Sequence, residues 1–129
     1  MSNRYKDGKD YEKFINRFLH GRLVSNNENF FDIECKFSIF EIKGTKLQEK
    51  GKSSLGRYKI FTGNHNKLKQ IADEKNKKAK YGFVLKINSR MIYKIMTWES
   101  VNLAVLRGKK HKNKQNDKEC VNIILKEIW

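Results

Sequence analysis

Hydrophobic positions fall along this chain in two rhythms. Between Asp10 and about Leu23, Tyr11, Phe14, Ile15, Phe18 and Leu19 recur every three or four positions, the spacing of one helix face, with Gly21 near the stop. A polar stretch, residues 25–29, reads as a loop. The rhythm then becomes alternation: Phe31, Ile33, Cys35 and Phe37 interleave with Asp32, Glu34 and Lys36, and Phe40 and Ile42 with Ile39, Glu41 and Lys43. Period 2 predicts two strands over residues 30–36 and 39–43, joined around Phe37 and Ser38. A Gly/Lys/Ser loop over residues 44–54 leads to a short strand at 57–62. Asn64 reads as the N-cap of a second helix that carries His65, Leu68, Ile71 and Ala72 on one face and lysines on the other. Residues 81–87 and 91–98 alternate as strands across Asn88 and Ser89, a short helix follows near 100–106, and 121–129 reads as a closing strand. Residues 1–9 read as a basic arm and 107–118 as a basic loop. The order predicts one α/β (α+β) domain over residues 1–129.

Composition sharpens this picture. The chain has 129 residues, 38% hydrophobic and 12% aromatic, enough for a single modest core. Against 14 Asp and Glu stand 29 Lys and Arg, a formal net charge of +15, which points to a polyanionic partner. The two cysteines, Cys35 and Cys120, form no CxxC and no Cys/His pairing, which argues against zinc. Cys35 reads instead as a small core residue in a reducing compartment. The N-terminus MSNRYKDGKD lacks the apolar stretch of a signal peptide, and no segment approaches the roughly 20 apolar residues that span a bilayer. The expectation is a cytoplasmic protein without a membrane partner.

The chemistry concentrates in FFDIECKFSIFEIKG, residues 30–44. If the apolar sets of the two strands share a face, Glu34 lies opposite or near Glu41, and Asp32 near Lys43. A one-residue slip would mix the faces. Three carboxylates and a lysine would then converge on one patch, although like charges opposite each other on a sheet are unfavourable. A cation relieves such a cluster, and oxygen ligands without Cys or His suit Mg²⁺ or Mn²⁺. The bland alternative is a solvated ribbon face of alternating charge.

An Asp followed, on the next strand, by Glu-x-Lys resembles the signature of the PD-(D/E)xK nuclease superfamily, which includes restriction endonucleases and archaeal Holliday junction resolvases. Here the matching residues are Asp32 and Glu41-Ile42-Lys43. A preceding helix with an acid, Glu12, and a following basic loop, strand and helix, residues 56–75, extend the resemblance over about residues 10–98. Two features depart from the pattern: Phe31 stands where a proline is common, and a second Glu-x-Lys, Glu34-Cys35-Lys36, lies in the same hairpin with only Glu28 as its upstream acid.

The resemblance implies a restriction-endonuclease-like core, a central mixed β-sheet flanked by helices. It implies a Mg²⁺-dependent (or Mn²⁺-dependent) endonuclease in which Asp32, Glu41 and the carbonyl of Ile42 hold the metal and Lys43 orients water or stabilises the charged phosphorane. Glu12 is a further ligand or a solvated helix carboxylate, and Glu34 an outer acid or an additional ligand. Arg57, Lys59, Lys46, Lys50, Lys52 and the 109–114 lysines are candidate DNA-backbone contacts, with His65 a candidate phosphate contact or a half-buried ring. Tyr58 and Trp98 read as core residues. The expected partners are duplex or branched DNA and a second copy of the chain, since cutting two strands with one small domain calls for two sites. The competing class is a non-catalytic basic nucleic-acid-binding module, with a ribosomal-type RNA protein behind it.

Overall fold

The computed structural model describes residues 3–24, 30–48 and 55–129. Helix α1, Asn3–Leu19, is followed by β1, Arg22–Leu23, β2, Ile33–Glu34, and β3, Ser38–Lys46. Then come β4, Arg57–Phe61, α2, Thr62–Glu74, β5, Lys78–Ile87, and β6, Arg90–Thr97. Helix α3, Trp98–Arg107, β7, Lys110–Lys112, β8, Glu119–Ile124, and a 3-10 turn, Leu125–Glu127, complete the order. A mixed sheet runs β1-β2-β3-β5-β6, and a second sheet runs β4-β8-β7. β3 and β5 pair in parallel through the β4–α2 crossover, while the other neighbours are antiparallel.

The central strands of the main sheet, β3 and β5, are covered on both faces. Tyr11 and Ile15 of α1 pack on Ile33, Phe40, Ile42 and Val84. On the opposite face Ile39, Tyr81, Phe83 and Leu85 meet Leu68 and Ala72 of α2, Val101, Ala104 and Val105 of α3, and Tyr58, Ile60, Val121 and Ile123 of the second sheet. Burial on both faces explains why Tyr81–Leu85 is a continuous buried run. Two glycines let α1 sit close: a Cβ on Gly44 would lie 2.0 Å from the Tyr11 ring, and one on Gly82 2.5 Å from Ile15. No helix among the described residues is long and apolar enough to cross a membrane.

Several boundaries differ from the sequence expectation. The helical backbone begins at Asn3, so residues 3–9 are the first turns of α1 and not a basic arm. The second helix starts at Thr62, with Phe61 as N-cap in place of Asn64. The basic stretch 107–118 contains β7, which adds to β8. The expected strand over 30–36 shrinks to two residues, and 39–43 grows into the nine-residue β3. The expected loop over 44–54 begins as strand, since β3 runs on through Lys46, and its residues 49–54, like the expected loop at 25–29, lie outside the described residues.

Candidate active site

The hairpin register decides which acids meet. Ile33 pairs with Phe40 and Glu34 with Ile39. The tight turn is Lys36–Phe37, closed by the Cys35 amide donating to the Ser38 carbonyl at 2.8 Å, one residue earlier than the expected Phe37–Ser38. Moving a turn by one residue slides an antiparallel register by two, which leaves every side chain on its face but changes its neighbour. Glu34 therefore leaves Glu41, and the acid that meets Glu41 is Asp32, whose carboxyl is hydrogen-bonded to it.

Asp32 lies where the two strands separate. Its amide donates to the Phe40 carbonyl (2.8 Å) and its carbonyl accepts from Val24 (2.9 Å). Beyond it the Ile42 N–H has lost its partner strand, and the Asp32 carboxylate accepts that bond through Oδ2 at 2.8 Å. A buried amide needs such a partner, so the side chain is held in place by the fold. On a strand the N–H and C=O of one residue point to the same side. The Ile42 carbonyl thus faces the same opened edge as the Asp32 carboxylate.

Glu41 projects from the α2 face of β3, beside Tyr81 of β5. Burial raises its pKa well above the usual carboxylate range; Lys43 opposes this, while the hydrogen-bonded carboxyl of Asp32 and the charge of Glu12 add to it. Lys43 places Nζ 3.9 Å from Glu41 Oε1 and 5.9 Å from the centre of the Phe61 ring. Glu12 reaches the cluster from α1, and burial, then Asp32, push its carboxyl up to about 7 against the pull of Lys9. A shallow cleft of about 260 Å³ opens beside Glu12, Ile42 and Lys43. Three carboxylates and one ammonium, two of the acids disfavoured in their charged form, make a site deficient in positive charge.

Glu34 is the acid that does not join. It binds Arg22, Lys75 (3.0 Å) and Lys77 (2.9 Å), and the hydrogen bonds from Lys77 and Lys75 lower its pKa to about 2. His65 is also elsewhere than a phosphate contact requires. It is 2% exposed, its Nδ1 bonds to the Tyr81 hydroxyl (2.8 Å) and its Nε2 to Asn102 Oδ1 (3.0 Å), and Trp98 stacks on it at 4.3 Å. Burial lowers its pKa, so it is a neutral ring of the core. Tyr58 is buried and Trp98 half-buried, as core residues should be. Cys35 packs against the α1-side core and Cys120 is fully buried, both as free thiols.

Among the basic residues, Arg57 and Lys59 are exposed on the face of β4 that they share with Phe61, the residue of that strand whose ring Lys43 approaches. Lys46 pairs with Asp7 at 3.4 Å. Lys50 and Lys52 lie outside the described residues. Two neighbours of the cluster escaped the sequence reading, Tyr81 and Phe61. Neither carries a signal in the chain, because the parallel pairing and the crossover bring them there.

Among the described residues no three His, Cys, Asp or Glu side chains form a group that could hold a metal ion as they stand. Mg²⁺ asks for less, since it binds through one or two carboxylates and keeps waters and substrate phosphate for the remaining positions. The chain matches no protein-family model, no curated protein and no solved structure.

Proposed function

We propose that this chain is a metal-dependent DNA endonuclease that hydrolyses phosphodiester bonds at Glu12, Asp32, Glu41 and Lys43. The observation that carries the reading is the convergence of these side chains where β2 leaves β3, with Asp32 anchored on the Ile42 amide. The donor set fits a hard divalent cation: it offers only oxygens, and it has more negative charge than Lys43 balances. Asp32, Glu41 and the Ile42 carbonyl would hold Mg²⁺ or Mn²⁺, with Glu12 placed to add an oxygen. When bound, the cation draws charge from the phosphoryl oxygens and lowers the pKa of a bound water.

Lys43 orients the attacking water or balances charge building on the phosphate. The water oxygen bonds to phosphorus as the bond to the 3′ oxygen breaks, leaving a 5′-phosphate and a 3′-hydroxyl. Arg57, Lys59 and Lys46 contact the DNA backbone, where a net charge of +15 favours accumulation of DNA. The element order supports the likeness to the PD-(D/E)xK superfamily: an acid-bearing helix, then the hairpin with Asp32 and Glu41-Ile42-Lys43, then a strand and helix. Junction resolution and restriction or repair cleavage both fit this reading, and cutting both strands calls for a homodimer.

The test is cleavage of labelled duplex and four-way-junction DNA in Mg²⁺ and in Mn²⁺, with Glu41→Gln and Lys43→Met beside the parent. The expected result is metal-dependent cutting that each substitution lowers by at least about 100-fold while DNA binding persists. Binding without cutting on every substrate would replace this reading with a non-catalytic nucleic-acid-binding module.

A further inference from the structure

Phe37 is the most exposed large hydrophobic side chain described, at 71%. It stands at the tip of the β2–β3 hairpin, and the backbone beneath it is pinned. The Cys35 amide donates to Ser38, the Lys78 amide donates to the Phe37 carbonyl at 2.9 Å, and Lys77 Nζ donates to the Cys35 carbonyl at 2.8 Å. A lone exposed hydrophobic residue is ordinary on a protein surface. Here it overhangs a cleft of about 520 Å³, between the hairpin tip and the end of α1, that Phe18 and Phe40 also wall. That size suits a single small ring-bearing ligand.

The charge of the cleft points to the ligand. Lys36 Nζ lies 5.3 Å from the centre of the Phe37 ring, and Lys80 Nζ 6.0 Å from that of Phe40. No Asp or Glu lines the cleft. Glu34, the hairpin acid nearest the tip, lies on the opposite face of the sheet, where Arg22, Lys75 and Lys77 hold it. Aromatic faces interleaved with ammonium groups are the arrangement that stacks bases and pairs with the phosphates of single-stranded nucleic acid. A paired duplex hides its base faces, so only an unpaired nucleotide can use this cleft.

We propose that the cleft under Phe37 binds an unpaired base of a DNA strand, stacked against Phe37 and Phe40 with its phosphate on Lys36 or Lys80. The cleft opens on the α1 face of the sheet with Phe40, whereas Glu41 projects from the other face. The two clefts also open at opposite ends of α1, one beside Glu12 and the other beside Phe18. Glu12 is therefore the member of the acid cluster that shares the α1 side of the sheet with a strand seated under Phe37. The inference rests on the nuclease reading and deepens it: the substrate is DNA with an unpaired segment, such as a flap, a gap or a branch point.

The experiment measures fluorescence anisotropy of three labelled DNAs in EDTA: a blunt duplex, a single strand, and the same duplex with a five-nucleotide flap. Parent protein, Phe37→Ala and Phe37→Trp are compared, with melting temperatures to confirm that the exposed position leaves the fold intact. The expected result is that the parent prefers the single strand and the flap. Phe37→Ala should weaken binding to those two by about tenfold and leave duplex binding unchanged, and Phe37→Trp should restore it. Equal binding of all three DNAs by the parent, or a preference that Phe37→Ala leaves intact, overturns the proposal. If in that case blunt duplex is still cut in Mg²⁺ and Glu41→Gln abolishes the cutting, the nuclease reading stands without it. Absence of binding to any of the three DNAs overturns both.

Discussion

Glu12 holds its proton to about pH 7 because burial and the charge of Asp32 outweigh the help of Lys9. Between pH 4.5 and 7 the native chain therefore keeps a proton that the unfolded chain has released, and stability falls as pH rises through that window. Glu12→Gln removes the cost of ionising there. In EDTA at pH 8 it should stabilise the fold by about 1–2 kcal/mol, with little change at pH 4.5, as read by thermal melts at the two pH values. Glu34 behaves in the opposite sense: its pKa near 2 gives stability that is present above about 4.5 and lost as pH falls toward 2. Two acids on one hairpin and its neighbouring helix thus differ in what surrounds them, and only the crowded one belongs to the candidate site.

At the scale of elements, the site depends on β2 being short. Two residues of pairing hold the hairpin, and the break after them frees the Ile42 amide for Asp32. It depends equally on how closely α1 lies over β3. An added methyl on Gly44 would meet the Tyr11 ring at 2.0 Å, so Gly44→Ala should force α1 away, at about 1–3 kcal/mol in denaturant unfolding. Because Glu12 is one residue from Tyr11, cleavage should fall as well. Gly8, with nothing within 4 Å of the same methyl, is the control on that helix; Gly8→Ala should be neutral or stabilise by about 0.5–1 kcal/mol.

For the whole molecule, the candidate site is a point of uncompensated negative charge in a chain of net charge +15. On the proposed function, a divalent cation that binds the folded form alone adds stability by mass action. At pH 8, Mg²⁺ at about ten times its dissociation constant should add about 1.4 kcal/mol to unfolding, seen as a rise in melting temperature. Asp32→Asn and Glu41→Gln should remove the rise, whereas Glu34→Gln should keep it, since Glu34 is bound to lysines and an arginine. A rise that survives both site substitutions would place the cation elsewhere.

Much of this was legible in the chain. Periodicity alone separates the amphipathic helix over Tyr11–Leu19 from the alternating hairpin, because side-chain directions repeat at 3.6 residues in one and 2.0 in the other. It also put Asp32, Glu41 and Lys43 on one face, which a two-residue shift of register preserves. What the periodicity could not choose was the partner within that face: Glu34 and Asp32 are equivalent to a period of two, and the Lys36–Phe37 turn selected Asp32. Nor could it choose the depth of His65, whose apolar stripe fits a half-exposed ring as well as a buried one; the packing of Tyr81, Trp98 and Asn102 around it decided that. Local pattern determined the elements and which way their side chains point, because both follow from backbone geometry. Tertiary structure decided which acids meet, because neighbours across strands and helices are set by turns and close packing that no local spacing records.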